Sequence, residues 1–247
     1  PLSAPVYFMR VTQRLVTALT APTGEGRLFE VDLRLRPSGA DGPLAAQFDS
    51  FKKYLSESAW TWELMALTRS RAAAGNDNLM SRLEELRAEV IRTAGLRPKL
   101  ISDVIEMRKR ISIEKGNGGV WDVKRRAGGM LDLEFLTQGL ALVHGNMDEV
   151  INSRSPWEQA SALKSLEPMF PSGVLCEAAH FWHKIQWLLR LVAHDQENSS
   201  EIIHVETQRT LEIALGLEDY ETLTHMRERV SLAVADAFQH DILDRLV

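Results

Sequence analysis

The most regular alternation in the chain runs from Phe29 to Arg36. Phe29, Val31, Leu33 and Leu35 occupy the odd positions, and Glu30, Asp32, Arg34 and Arg36 the even ones. A period of two predicts a half-buried strand with one face of carbon and one of charge. Elsewhere the period is helical. Phe8, Val11, Leu15 and Leu19 follow a start signal at Pro5 and predict a helix that ends at the turn sequence Pro22 to Gly26. Pro37 holds Arg36 extended, and Ser38 to Gly42 read as a turn.

From Gln47 onward the apolar spacing is helical almost throughout. Phe48, Phe51 and Leu55 form one short run, and Trp62, Met65, Ala66 and Arg69 a second. Gly75 and Asn76 break the pattern, and helices are predicted over 78–94 and 102–115. A loop at Glu114 to Gly119 and a short extended piece lead to Gly128 and Gly129, which open another helix. The stretch 173–194 is apolar nearly all round and reads as the central helix of a bundle, with further helices over 205–215 and 220–246. The pattern predicts a mainly α protein with a small β-sheet and a domain boundary between residues 75 and 100, giving domains 1–95 and 96–247.

Composition narrows the function classes. A net charge of −5 argues against a duplex-binding surface, and no run approaches the ~20 apolar residues of a membrane span, so neither nucleic acid nor membrane is expected as a partner. The single cysteine, Cys176, excludes an internal disulfide and fits a cytoplasmic location. A start at Pro1 without Met is read as a piece of something longer.

The charged face of the predicted strand is the main candidate for chemistry. Carboxylates suit a divalent cation and guanidinium forks suit phosphate, so Glu30, Asp32, Arg34 and Arg36 resemble half of a nucleotide-phosphate site. A solvated face tied by lateral ion pairs is the plainer reading. Trp60 and Trp62 read as core filler. Arg69 and Arg71 either pair with helix-face acids such as Glu63 or form a second rank of phosphate contacts. Asp132 and Glu134 fall in the first turn of their helix, where the dipole already favours acids. His180 and His183 stand three apart with no evident third ligand for a metal.

Three blocks carry a family resemblance: FEVDLRLRPSG at Phe29 to Gly39, SAWTWELMALTRSRA at Ser58 to Ala72, and GGMLDLEFLTQ at Gly128 to Gln138. Together they resemble the bacterial glutamine synthetase adenylyltransferases, a branch of the polymerase-beta-like nucleotidyltransferases, and more closely the C-terminal half that attaches AMP. The resemblance implies a truncated nucleotidyltransferase α/β domain followed by a helical bundle. It implies Asp32 as the third metal-binding and catalytic carboxylate, with Glu30 a weaker ligand for Mg²⁺. Arg34, Arg36 and Lys124 would lie at the ATP phosphates, with Glu63, Arg69, Arg71, Asp132 and Glu134 behind them. Glutamine synthetase, the PII signal protein, ATP and glutamine are the implied partners and effectors. The family's Gly-Ser turn and DxD pair are not found in this sequence, so the chain alone is expected not to transfer AMP. The alternatives are a non-catalytic docking module for glutamine synthetase or PII, and the adenylyl-removing half of the same family.

Overall fold

The computed structural model describes residues 2–27, 30–166, 172–192 and 203–239. The chain divides into two compact units, residues 1–66 and 67–247.

In the first unit, helix α1 (Ala4–Thr20) begins with a proline in its first turn, where the missing N–H has no helical partner to lose. No α1 residue is buried, and Phe8, Val11, Leu15 and Leu19, which share its apolar face, are all exposed. Two-residue strands β1 (Pro22–Thr23) and β2 (Gly26–Arg27) pair antiparallel across the predicted turn. That ladder is the whole of the β structure among the described residues.

The predicted strand at Phe29 to Arg36 therefore requires correction. Phe29 lies outside the described residues, Glu30 to Leu33 carry no regular structure, and the chain turns from Arg34. The cause is local. The Asp32 carboxylate accepts the backbone N–H of Arg34, two residues on, at 2.9 Å, closing an Asx turn that competes with a ladder. A ladder also needs a neighbouring strand, and none of the described residues supplies one. The alternation survives only as burial: Val31 and Leu33 are half-buried, while Glu30, Asp32 and Arg34 are exposed. Past that point it inverts, with Leu35 61% exposed and Arg36 half-buried.

A short 3-10 turn at Gly39–Asp41 follows, and then helix α2 (Phe48–Glu57). Helix α3 (Thr61–Thr68) starts in the first unit and ends in the second. Trp60, expected in the core, is 69% exposed just before α3.

The second unit is a bundle of α4 (Asp77–Ala94), α5 (Leu100–Lys115), α6 (Met130–Val143), α7 (Asp148–Asn152), α8 (Pro156–Ala162), α9 (Ser172–Val192), α10 (Val205–Leu215) and α11 (Tyr220–Ala237). Its centre is α6, which packs against α4, α5, α8, α9 and α11, and whose Leu136, Leu140 and Leu142 are fully enclosed. A helix apolar on every side has to be surrounded. Helix α9, expected as the centre, buries one face through Leu175, Trp182, Ile185 and Leu189 and leaves Trp187 and Leu191 exposed. Between α5 and α6 the expected extended piece is a chain of turns, anchored where Met130 and Leu131 donate to Val123 and Lys124. No helix of the described residues is long and apolar enough to cross a membrane.

Candidate functional site

In the first unit, the candidate carboxylate and its nearest guanidinium are bound to each other. Arg34 Nε lies 3.0 and 2.9 Å from the two Asp32 oxygens, and Arg34 Nη2 lies 2.6 Å from Oδ2. These bonds and the Arg34 backbone N–H lower the Asp32 pKa to about 2, and the Arg34 pKa rises in return. The clasp is open to solvent, with the two side chains 85% and 55% exposed for Arg34 and Asp32. Arg36 has a different task. Its Nη1 donates to the Leu33 carbonyl at 2.8 Å and its Nε to the Gly42 carbonyl at 3.1 Å, so it fastens the turn that encloses it. Glu30 is exposed.

Glu63 is buried and fully engaged. It accepts the Tyr54 hydroxyl at 2.8 Å and, reaching back three residues, the Trp60 backbone N–H at 2.9 Å. The second contact is half of a capping box and explains an acid in the first turn of α3. Burial and the neighbouring carboxylate push the Tyr54 pKa up.

In the second unit, two of the sequence blocks meet. Arg69, just beyond α3, donates to Glu134 of α6 at 3.0 Å, so the pairing of Arg69 with Glu63 weighed from sequence gives way to a contact across 65 positions. Arg71 is exposed, and so is Lys124. Asp132 is enclosed: it accepts Arg108 Nε from α5 and the Gly128 N–H at 2.6 Å. Gly128 in turn accepts Trp182 Nε1 of α9 at 3.0 Å. This chain of bonds fixes the loop in front of α6 and gives Asp132 an architectural role.

Arg108 was not singled out from sequence, because nothing local marks a partner 24 residues away. Arg87 was also missed. It is buried on α4 and donates to the carbonyls of Leu67 at 3.1 Å, Thr68 at 2.5 Å and Ile151 at 2.8 Å, closing the C-terminus of α3. Burial lowers its pKa to about 10, and the guanidinium remains charged at neutral pH.

His180 and His183 serve as ring contacts. His183 meets Trp157 of α8 edge-on at 5.1 Å and His180 meets the same indole at 5.7 Å, while His180 Nδ1 donates to the Cys176 carbonyl at 2.9 Å. Among the described residues no group of three or more His, Cys, Asp or Glu is placed to hold a metal ion.

Residues 2–86 match the family described as glutamate-ammonia ligase adenylyltransferase. Three curated relatives carry the name bifunctional glutamine synthetase adenylyltransferase/adenylyl-removing enzyme. That of Rhodopseudomonas palustris strain HaA2 is 43% identical over 196 residues, covering 77% of this chain and 19% of the relative. That of Xanthobacter autotrophicus is 42% identical over 194 residues, covering 77% and 20%. That of Brucella suis biovar 1 is 38% identical over 236 residues, covering 92% and 24%. The chain thus spans 19 to 24% of the length of these relatives.

Proposed function

We propose that this chain, which over its matched stretch belongs to the glutamate-ammonia ligase adenylyltransferase family, is part of an enzyme that transfers AMP from ATP to a tyrosine of glutamine synthetase. The observation that carries the reading is the family match over residues 2–86, which takes in both the Asp32 to Arg36 run and the α3 block, with about two-fifths identity extending well beyond it. The attaching activity is favoured over the removing one by the form of the motifs: EVD before the Arg pair, RPSG after it, and AWTWE at Ala59 to Glu63.

The donor set present here does not fit Mg²⁺ on its own. Both Asp32 oxygens are taken by Arg34, and the described residues gather no cluster of three metal-binding side chains. No chemical step is therefore assigned through the ion. On this reading the chain as it stands transfers no AMP. In a longer protein that includes it, Asp32 is the catalytic carboxylate and Arg34 faces the ATP phosphates, with PII and glutamine as effectors of the whole.

The test has two arms. The chain incubated with Mg²⁺, ATP and glutamine synthetase should leave the synthetase unmodified; appearance of AMP on its tyrosine overturns the inactivity. In a longer protein carrying this segment, Asp32→Asn should abolish transfer, and full activity of that variant removes Asp32 from the reaction. A second reading is a non-catalytic docking module for glutamine synthetase or PII. Capture of glutamine synthetase by the chain in the absence of ATP supports it.

A further inference from the structure

The second unit encloses two guanidinium groups that share one acid. Arg227 of α11 is 6% exposed, and its Cζ lies 4.8 Å from the centre of the Trp121 indole. Arg126, in the turns before α6, places its Cζ 5.7 Å from the centre of the Trp182 indole of α9. Both arginines reach the same oxygen, Glu228 Oε2: Arg126 Nη2 stands 3.1 Å from it and Arg227 Nη2 4.0 Å. Arg126 Nη1 also donates to the Val120 carbonyl at 2.8 Å. The Nε of each arginine is buried with no hydrogen-bond partner among the described residues, and the Arg227 guanidinium makes no hydrogen bond to any of them.

We propose that Arg126 and Arg227 form a binding site for a small oxyanion, a phosphate or carboxylate group that enters beside Glu228 and takes the N–H donors which Glu228 does not reach. The first reason is charge. Two cations face one carboxylate, and that carboxylate is itself 54% exposed. The neighbouring acids are committed elsewhere, Asp122 to Arg125 at 2.6 Å and Asp132 to Arg108. The second reason is hydrogen bonding. An indole face offsets part of the charge of a buried guanidinium but accepts none of its in-plane N–H groups, and donors enclosed without an acceptor are costly. A guanidinium fork matches two oxygens of one phosphate or carboxylate, and two forks that meet at a single carboxylate oxygen stand close enough to grip one ion between them. Trp121 and Trp182, both fully enclosed, close the site on its inner side, so the exposed Glu228 marks the way in.

The proposed transfer of AMP uses none of these residues, and the whole chain serves for the test. Inorganic phosphate and acetate are titrated at neutral pH against chloride at equal ionic strength, with melting temperature and calorimetric heat as readouts. At least one of the two should raise the melting temperature along a saturable curve that chloride does not give. A response to phosphate alone assigns a phosphate group, one to acetate alone a carboxylate, and one to both a site that reads only the oxyanion. Arg227→Met should abolish the response. Arg227→Lys, which keeps the charge without the fork, should weaken binding about tenfold. Glu228→Gln removes the competing charge and should tighten binding about tenfold. Arg110→Gln, at an exposed cation of α5, should change nothing. The proposal is overturned if neither probe saturates, if Arg227→Met binds as the unaltered chain does, or if Glu228→Gln fails to tighten binding. Should Arg227→Met fail to fold, Glu228→Gln and Arg227→Lys still decide the matter.

Discussion

Two glycines with nearly the same backbone angle allow a steric cost to be separated from a conformational one. Gly116 has φ +70° and Gly128 has φ +69°. A Cβ built on Gly116 meets nothing within 4 Å, whereas one on Gly128 falls 1.8 Å from the Ser231 carbonyl oxygen, 2.5 Å from its carbon and 2.8 Å from its Cα. Forcing alanine into the left-handed region costs roughly 1–2 kcal/mol, partly offset by the smaller entropy of the unfolded alanine chain. Gly116→Ala should therefore cost about 1 kcal/mol. Gly128→Ala carries the same strain and adds a collision with main chain of α11, which has no rotamer by which to yield. Displacing α11 from the loop adds ~1–3 kcal/mol of overpacking. It also strains the bonds from Trp182 to the Gly128 carbonyl and from the Gly128 N–H to Asp132, each worth ~1 kcal/mol or more. The expected loss is about 4–5 kcal/mol. Urea unfolding of both variants, followed by far-ultraviolet circular dichroism, gives the difference directly. Equal losses in the two variants would mean that loop and α11 do not approach as described.

The buried pair of Arg108 and Asp132 should behave as a unit: Arg108→Leu leaves a carboxylate without its counterion and should cost about 3–5 kcal/mol in urea unfolding. Adding Asp132→Leu should cost less than the sum of the singles, since no stranded charge then remains. Mild acid should weaken the fold, because burial lowers the pKa of both His144 and His183 in the folded state. The unfolded chain then binds more protons below about pH 6.5, so the melting temperature should fall as the pH drops through that range. A flat profile there contradicts the burial of both rings. Asp32→Asn should leave the melting temperature at neutral pH within error, because the clasp it breaks is open to water.

Helix positions were readable wherever an apolar face repeated. Helices α1, α2, α4, α5, α10 and the described part of α11 lie where their periodicity put them. What was not readable is what depends on partners. The alternation at Glu30 to Arg36 stated a preference for two faces, but a strand is a relation between two segments, and Asp32 satisfied the Arg34 N–H locally instead. Helices α7 and α8 escaped notice because they are too short to show a period, although Ser155 and Glu158 form a complete capping box. Asp132 was visible as a first-turn acid, yet its partner Arg108 sits on another helix. Pairings made by tertiary packing leave no mark at fixed spacing.

That distinction bears on how the family motifs should be interpreted. In the block Gly128 to Gln138, glycine is required at 128 by the approach of α11, Asp132 by the loop it ties down and by Arg108, and the apolar positions by enclosure on all sides. Each has a sufficient structural reason, so sharing this block with a relative is evidence for a shared scaffold before it is evidence for shared chemistry. The run from Glu30 to Arg34 is the opposite case. Its exposed acids and Arg34 hold nothing in place beyond a local turn, and removing their charge should cost the fold little. Exposed residues without a structural task are the ones whose identity calls for a functional explanation. Asp32 and Arg34, open to solvent and bound only to each other, are therefore the first residues at which the proposed transfer should be tested.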